Sequence, residues 1–353
     1  MEQNTQNLLE MIDRPAFTVQ DGIITNCNQM AKNRQIPMGT SVKELIPEEC
    51  DAYKNYSGGI LYLTLQIGWI PCGATVIRQD GQDVFLLDRD ADQAQLQTLS
   101  LAAQQLRVPL SNVMTVADIL FPELAEETQK EQAAQMRRAL FQLMRLISNM
   151  ADAERYTGLN APKYENTDLC GFLREIFEKA AATLCDTKVS LDFSCPSGPV
   201  FTVVDRERLE RAVYNLISNA VKFSKPEGNV TAKLTVNGKM ACLTVEDQGD
   251  GIAPHVQGSL FYRYMREPAI EDSRFGLGLG MTLVRSAAAM HGGTVLLEQT
   301  GGTRVAMTLA IRKHAPGTLR SPTIRIGDYT GGRDQGLLEF SESLPLKSYE
   351  QNH

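Results

Sequence analysis

The chain is poor in histidine, tryptophan and clustered cysteine, and each shortage removes a class of chemistry. Of its four histidines none precedes His255, so a haem held by an axial histidine is excluded from the N-terminal region. Its seven cysteines, Cys27, Cys50, Cys72, Cys170, Cys185, Cys195 and Cys242, are odd in number and nowhere spaced C-x-x-C. They read as reduced thiols of a cytoplasmic protein, not as a zinc cage or a disulfide frame. The single tryptophan, Trp69, is expected in the core, the usual place for so large an apolar ring. A basic excess is also missing: 35 Lys and Arg against 42 Asp and Glu give a net charge of −7. That balance argues against nucleic acid or an anionic membrane as a general partner. The opening MEQNTQNLLEM has no basic segment leading into an apolar one and does not resemble a signal peptide. Residues 58–77 carry no charge over about the length of a bilayer-spanning helix, ~20 residues. Within them Leu61, Leu63, Leu65, Ile67 and Trp69 alternate with Tyr62, Thr64, Gln66 and Gly68, and Pro71 would break a helix. The period of two predicts sheet and no membrane span.

What is present is the composition of an ordinary soluble globular protein, 43% hydrophobic and 22% charged, with length for two or three domains at about 100–200 residues each. In the first region Ala16-Phe17-Thr18-Val19 and Gly22-Ile23-Ile24-Thr25 flank Gln20-Asp21 as a hairpin. Two strands follow Gly58, and Gln79-Asp80-Gly81-Gln82 turns into Val84-Phe85-Leu86-Leu87. With the asparagine-bearing turn Thr25-Asn26-Cys27-Asn28 and the loop Gly39-Thr40-Ser41-Val42, residues 1–91 resemble a PAS domain, a small α/β sensor.

From residue 92 to 160 the period changes from two to about 3.5. Leu99, Ala102, Leu106, Leu110, Val113, Ala117 and Leu120 form one stripe; Ala133, Met136, Leu140, Leu143, Ile147 and Met150 form a second. Steps of three and four on two arms, with Phe121-Pro122-Glu123-Leu124 between them, predict a helical hairpin. Two helices cover only part of such stripes, so a homodimeric four-helix bundle is the expected way to bury the rest.

Residues 161–314 read as helices on one face of a mixed sheet, an α/β sandwich, with hairpins around Asn237-Gly238 and Gly301-Gly302. The motifs with chemistry lie here. Asp247-Gln248-Gly249-Asp250-Gly251-Ile252 follows the apolar Leu243-Thr244-Val245. A carboxylate at a strand end can accept from an exocyclic amino group, and glycines let backbone approach a flat ligand; the same residues also make ordinary turns. Asn215 and Asn219 stand four apart on one helix with Lys222 nearby. Their carbonyls suit a hydrated Mg²⁺ between phosphates and the ammonium suits the phosphates themselves, although a plain polar helix face reads the same way. Gly276-Leu277-Gly278-Leu279-Gly280 runs into a helical stretch, and exposed amides at a helix start favour phosphate. Its spacing is not that of the dinucleotide fingerprint.

In order and spacing, Asn215 to Phe223, Asp247 to Ile252, Leu260-Phe261-Tyr262-Arg263-Tyr264, Gly276 to Gly280 and His291-Gly292-Gly293, with Gly302-Thr303 in the closing hairpin, resemble the boxes of the histidine-kinase ATP-binding domain. The resemblance implies a Bergerat-type pocket of the GHKL superfamily. Asp247 would meet adenine, Asn215 and Asn219 would hold Mg²⁺, and a lid would span roughly 266–275. Lys222, Gly249, Gly251, Ile252, Arg263, Gly276, Leu277, Gly278, Leu279, Gly280 and Thr303 would complete the ATP site. The implied architecture is multidomain α+β: a PAS-like sensor, a dimerising hairpin, the ATP-binding domain and an extension over 315–353. A response regulator is the implied partner.

In that family the first hairpin helix carries a phosphorylated histidine in a pattern like His-Glu-Leu-Arg-x-Pro-Leu. The matching segment here is Gln104-Gln105-Leu106-Arg107-Val108-Pro109-Leu110, with glutamine in place of both nucleophile and acid. An amide nitrogen has no available lone pair to attack a phosphate. Three readings follow. The first is an ATP-binding signalling protein that has lost self-phosphorylation at this position and acts as a homodimer or beside an intact kinase. The second is a kinase using Ser100 or Ser111, on a similar helix face to Gln104, with solvated helix serines as their plain alternative. The third is an ATPase or phosphatase in which Gln105 or a neighbour orients water. His255, His291, His314 and His353 are expected to be structural or solvated. In the extension, Thr323-Ile324-Arg325-Ile326 alternates and Leu337, Leu338, Phe340 and Leu344 cluster, so a docked strand and short helix are expected.

Overall fold

The computed structural model describes residues 7–46, 51–79, 81–157, 162–251, 279–312 and 332–350. Strands β1 (Ala16–Gln20) and β2 (Ile23–Cys27) are joined by Asp21 and Gly22, at φ 51° and 78°, the left-handed pair that a two-residue hairpin turn requires. The predicted asparagine turn is built on Asn28. Its Oδ1 accepts from Ala31 and Ala16 amides at 2.9 and 3.0 Å, capping helix α1 (Gln29–Asn33) and holding β1 to it. A short α2 (Asp51–Lys54) leads into β3 (Ile60–Ile67), β4 (Ile70–Gln79) and β5 (Gln82–Leu87). The uncharged run is therefore sheet, and no helix among the described residues is long and apolar enough to cross a membrane. These strands lie in the order β2-β1-β5-β4-β3 around a core of Phe17, stacked on Phe85 at 4.7 Å, with Leu63, Leu65 and Val76. Trp69 departs from expectation: it is 99% exposed, because the tight link between β3 and β4 carries it beyond the last paired residues, Ile67 and Ile70.

Helices α3 (Asp90–Leu120, continuous through Pro109) and α4 (Glu127–Thr157) form the predicted hairpin. Their mutual seam takes only part of the predicted stripes. Ser100, Ala103, Met114 and Ala117 are buried on α3, whereas Leu106, Val113 and Leu120 stay about half exposed or more. On α4, Ala133, Leu140 and Ile147 are buried and Met136 and Leu143 are not. A two-helix contact needs only a narrow face, so the wider apolar stripe is left uncovered.

The remaining strands and helices are β6 (Glu165–Asp168), α5 (Leu169–Leu184), β7 (Ser190–Ser194), β8 (Phe201–Val204), α6 (Arg206–Phe223), β9 (Asn229–Asn237), β10 (Met240–Glu246), α7 (Leu279–Met290), β11 (Val295–Gln299) and β12 (Thr303–Ala310). Asp168 and Asp205 cap α5 and α6 through side-chain bonds to first-turn amides. Strands β11-β12-β10-β9-β7 form a mixed sheet, parallel only between β7 and β9. Helices α5, α6 and α7 bury Phe177, Leu209, Val213, Ile217, Leu283 and Val284 against Val230, Leu243, Val295 and Met307, giving the expected α/β sandwich.

One junction escaped the sequence reading, and a second was read only as a docked strand and short helix. Strand β3 pairs with β11 through Ile60, Leu61 and Tyr62, fusing both sheets into one of ten strands. There the buried Arg285 of α7 covers the Tyr62 ring at 4.2 Å and grips both oxygens of Asp88 at 3.1 and 2.7 Å. Helix α8 (Gln335–Glu339) forms the second junction: it is the expected short helix, and Leu337, Leu338, Phe340, Leu344 and Tyr349 join the core of the sandwich. The strand expected at 323–326 lies outside the described residues.

Candidate functional site

Asp247 stands just past β10 and is only 6% exposed. Its Oδ1 accepts from the Gly249 amide at 2.8 Å and the Thr303 amide at 3.1 Å, while its own amide donates to the Thr303 carbonyl at 2.9 Å. Burial pushes this carboxyl above the usual carboxylate range, and hydrogen bonds from Gly249 and Thr303 oppose the shift. The result is a fixed acceptor at the end of a buried strand. Glycine is required on both sides: a Cβ on Gly249 would fall 2.3 Å from the Phe223 carbonyl oxygen, and one on Gly302 2.0 Å from that of Asp247. The turn after β10, the start of β12 and the end of α6 thus converge on one carboxylate. Gly251, at φ 73°, lies beside Gln299.

Asn215 is 1% exposed, and its Nδ2 donates to the Arg211 carbonyl at 2.8 Å. That bond orients Oδ1 toward Gly280, where an added Cβ would lie 2.7 Å from it. The asparagine of α6 and the last glycine of the Gly276-to-Gly280 motif therefore meet at the N-terminus of α7. Leu279, next to that glycine, is buried. Asn219 is half-buried on the same side of α6. Lys222, one turn further, is held by Glu342 at 2.5 Å. Ile252, Arg263, Gly276, Leu277 and Gly278, like the lid, lie outside the described residues. Among the described residues no three His, Cys, Asp or Glu side chains cluster as metal ligands. A cation here would depend on amide and phosphate oxygens, the donor set that suits Mg²⁺.

Gln104 and Gln105 are exposed on α3, as an acceptor and its base would be. Ser100 is not: it is fully buried and donates to the Ala151 carbonyl at 3.3 Å. It belongs to the seam between the hairpin helices, not to their solvated face. Ser111 is half-buried. His291 is structural. Its Nδ1 donates to the Ala287 carbonyl at 2.7 Å and its Nε2 accepts from the Asp205 amide at 2.9 Å, and burial lowers its pKa below the ordinary histidine value.

Sequence reasoning missed the charged side chains behind the site. Arg211, four residues before Asn215, bonds Asp152 at 2.8 Å, Asn149 at 2.7 Å and Glu339. The available signal was its spacing: Arg211, Asn215 and Lys222 form one helical stripe.

Residues 204–313 match the family described as histidine kinase-, DNA gyrase B-, and HSP90-like ATPase. The chain is 28% identical over 224 residues to the signal transduction histidine-protein kinase/phosphatase MprB of Mycolicibacterium vanbaalenii, covering 61% of this chain and 45% of that protein. It is 30% identical over 251 residues to the histidine protein kinase DivJ of Caulobacter vibrioides, covering 66% of this chain and 41% of that one. The chain thus spans less than half the length of either relative. Its fold is similar to that of full-length ShkA, crystallised in complex with AMPPNP, with a TM-score of 0.52 and 21% identity over 62% of this chain and 47% of that one. The chain therefore contains an ATPase domain of the histidine kinase, gyrase B and HSP90 type, within a sequence similar to sensor histidine kinases.

Proposed function

We propose that this chain is an ATP-binding, histidine-kinase-like signalling protein of the two-component type that does not phosphorylate itself at the usual position. The observation that carries the proposal is the Asp247 cradle, built from three converging elements, in a molecule whose exposed acceptor position is Gln104. The fixed carboxylate accepts from the adenine amino group, and Gly249 and Gly302 let the turn, α6 and β12 close around it. Asn215 and Asn219 would hold Mg²⁺, which would supply positive charge to the phosphates, and Lys222 and the N-terminus of α7 would add to it. Nothing at 104 or 105 can accept the phosphoryl group or remove a proton for it. The buried Ser100 is a poor substitute.

The five-stranded antiparallel sheet with its Asn28 turn supports a PAS-like input domain. The uncovered Leu106, Val113, Leu120, Met136 and Leu143 support pairing of the hairpin with a second copy or with an intact kinase. Either pairing lets nucleotide binding report by conformation, and a response regulator is the downstream partner.

The test is incubation of the purified chain with γ-labelled ATP and Mg²⁺. Binding of a fluorescent ATP analogue without acid-labile label is the expected result. Acid-labile label overturns the reading. Acid-stable label lost in Ser111→Ala would establish serine transfer in its place, and phosphate release above an Asp247→Asn control would establish hydrolysis.

A further inference from the structure

The C-terminal segment lies in a charged groove between α4 and α6. Glu339, wholly buried, pairs with Arg211 and faces Arg145 Nε at 3.6 Å. Glu342, 27% exposed at its side chain, pairs with Lys222 at 2.5 Å and Arg145 Nη1 at 3.5 Å. Helix α4 contributes more: Arg137 donates to the Tyr349 carbonyl at 2.9 Å, and Gln142 and Arg138 donate to that of Ser341 at 3.1 and 3.3 Å. The Tyr349 ring packs on Phe141, and its hydroxyl donates to the Leu337 carbonyl at 3.0 Å, closing the segment on itself. This is a built interface with an acidic occupant, and the more exposed of its two paired glutamates, Glu342, rests on the ammonium that a nucleotide phosphate would need.

We infer that residues 332–350 are an internal competitor for the nucleotide site, with Glu342 occupying Lys222 in place of phosphate and the segment strapping the ATP domain to α4. This rests on the ATP-binding reading above. One ammonium cannot fully neutralise a carboxylate and a triphosphate together, so nucleotide and strap weaken each other reciprocally. The deeper Arg211–Glu339 pair holds the strap's base while the Glu342 end releases. Because the same segment bonds Arg137, Arg138 and Arg145 of α4, nucleotide occupancy is transmitted to the hairpin through it.

The experiment is titration of the full chain with a fluorescent ATP analogue, comparing wild type, Glu342→Gln, Asp247→Asn and the double variant Glu342→Gln/Lys222→Ala. Glu342→Gln keeps size and hydrogen bonding at a partly exposed position, and its fold is checked by thermal melting. We expect it to bind about three- to tenfold more tightly than wild type, with the gain lost in the double variant. Hydrogen exchange in 334–350 should also accelerate on adding nucleotide to wild type. If wild type binds, Asp247→Asn does not, and Glu342→Gln equals wild type, the competitor inference fails while the ATP site stands. If neither wild type nor Glu342→Gln binds, the ATP-binding reading itself fails and takes the inference with it.

Discussion

Asp247 and Thr303 hold each other by a reciprocal pair of hydrogen bonds, amide to carbonyl at 2.9 Å in one direction and amide to Oδ1 at 3.1 Å in the other. The carboxylate therefore cannot rotate away from the pocket without breaking the start of β12. Asp247→Asn places an NH₂ where an acceptor is required and either repels the adenine amino group or leaves the Thr303 amide unpaired. The expected outcome is a loss of nucleotide affinity of at least about tenfold, read by titration, at a stability cost of about 1–3 kcal/mol. Gly302→Ala should act similarly through sterics, since its Cβ would collide with the Asp247 carbonyl.

If nucleotide is held but has no acceptor, restoring one should restore chemistry. Gln104 and Gln105 already lie exposed on α3. The double variant Gln104→His/Gln105→Glu supplies an imidazole and a base at the acceptor position. Acid-labile label from γ-labelled ATP should appear in the variant and be absent in wild type. No label in a variant that still binds nucleotide would mean that more than the acceptor has been lost.

The sequence announced the sandwich and the hairpin because both depend on local periodicity. It singled out Asp247 and Asn215 as candidates because each sits in a short motif whose glycines or i,i+4 spacing mark close approach, and both are buried beside glycines in the fold. What it hid are contacts between segments far apart. Nothing local in Ile60-Leu61-Tyr62 says that its open edge pairs with Val295-Leu296-Leu297. Nothing in Arg211 says that its partner is Glu339, 128 positions away. The hairpin stripe was legible as apolar, but which half faced the neighbouring helix was not, since Leu106 and Ala103 differ only in register.

The uncovered half of that stripe makes a prediction of its own. Leu106 and Val113, 51% and 52% exposed, lie outside the seam between α3 and α4. Leu106→Glu/Val113→Glu should leave the melting temperature of the monomeric fold almost unchanged. It should also shift sedimentation from dimer to monomer. A wild-type chain that sediments as a monomer at micromolar concentration would remove the self-pairing reading.

Arg211 is 1% exposed and faces carboxylates of both α4 and the C-terminal segment. Its removal leaves Glu339, itself 0% exposed, partly uncompensated. Arg211→Ala should cost about 3–5 kcal/mol in denaturant unfolding, and Arg211→Met/Glu339→Gln should recover part of the loss because, of the two carboxylates that Arg211 holds, the wholly buried one is removed with it and only Asp152 loses its partner. Equal destabilisation by the single and double variants would mean that packing, not charge, sets the cost.

His291 sets a pH dependence whose sign follows from its burial. The folded state holds it neutral, with Nε2 accepting from the Asp205 amide and Nδ1 donating to Ala287, and desolvation lowers its pKa. The unfolded chain protonates it at about 6.5. Below that pH and above the depressed folded value, the unfolded state binds the extra proton. Stability is therefore full above about pH 6.5 and falls as pH drops through the window, by up to about 1.4 kcal/mol per pH unit from this group. Protonation in the folded state would also turn Nε2 from acceptor to donor against the Asp205 amide, breaking the bond that seats the cap of α6. Thermal melting between pH 7.5 and 5.5 should show the decline in wild type and a shallower one in His291→Gln, whose side chain can still accept from the Asp205 amide but does not titrate. Parallel declines in both proteins would assign the pH sensitivity to other groups.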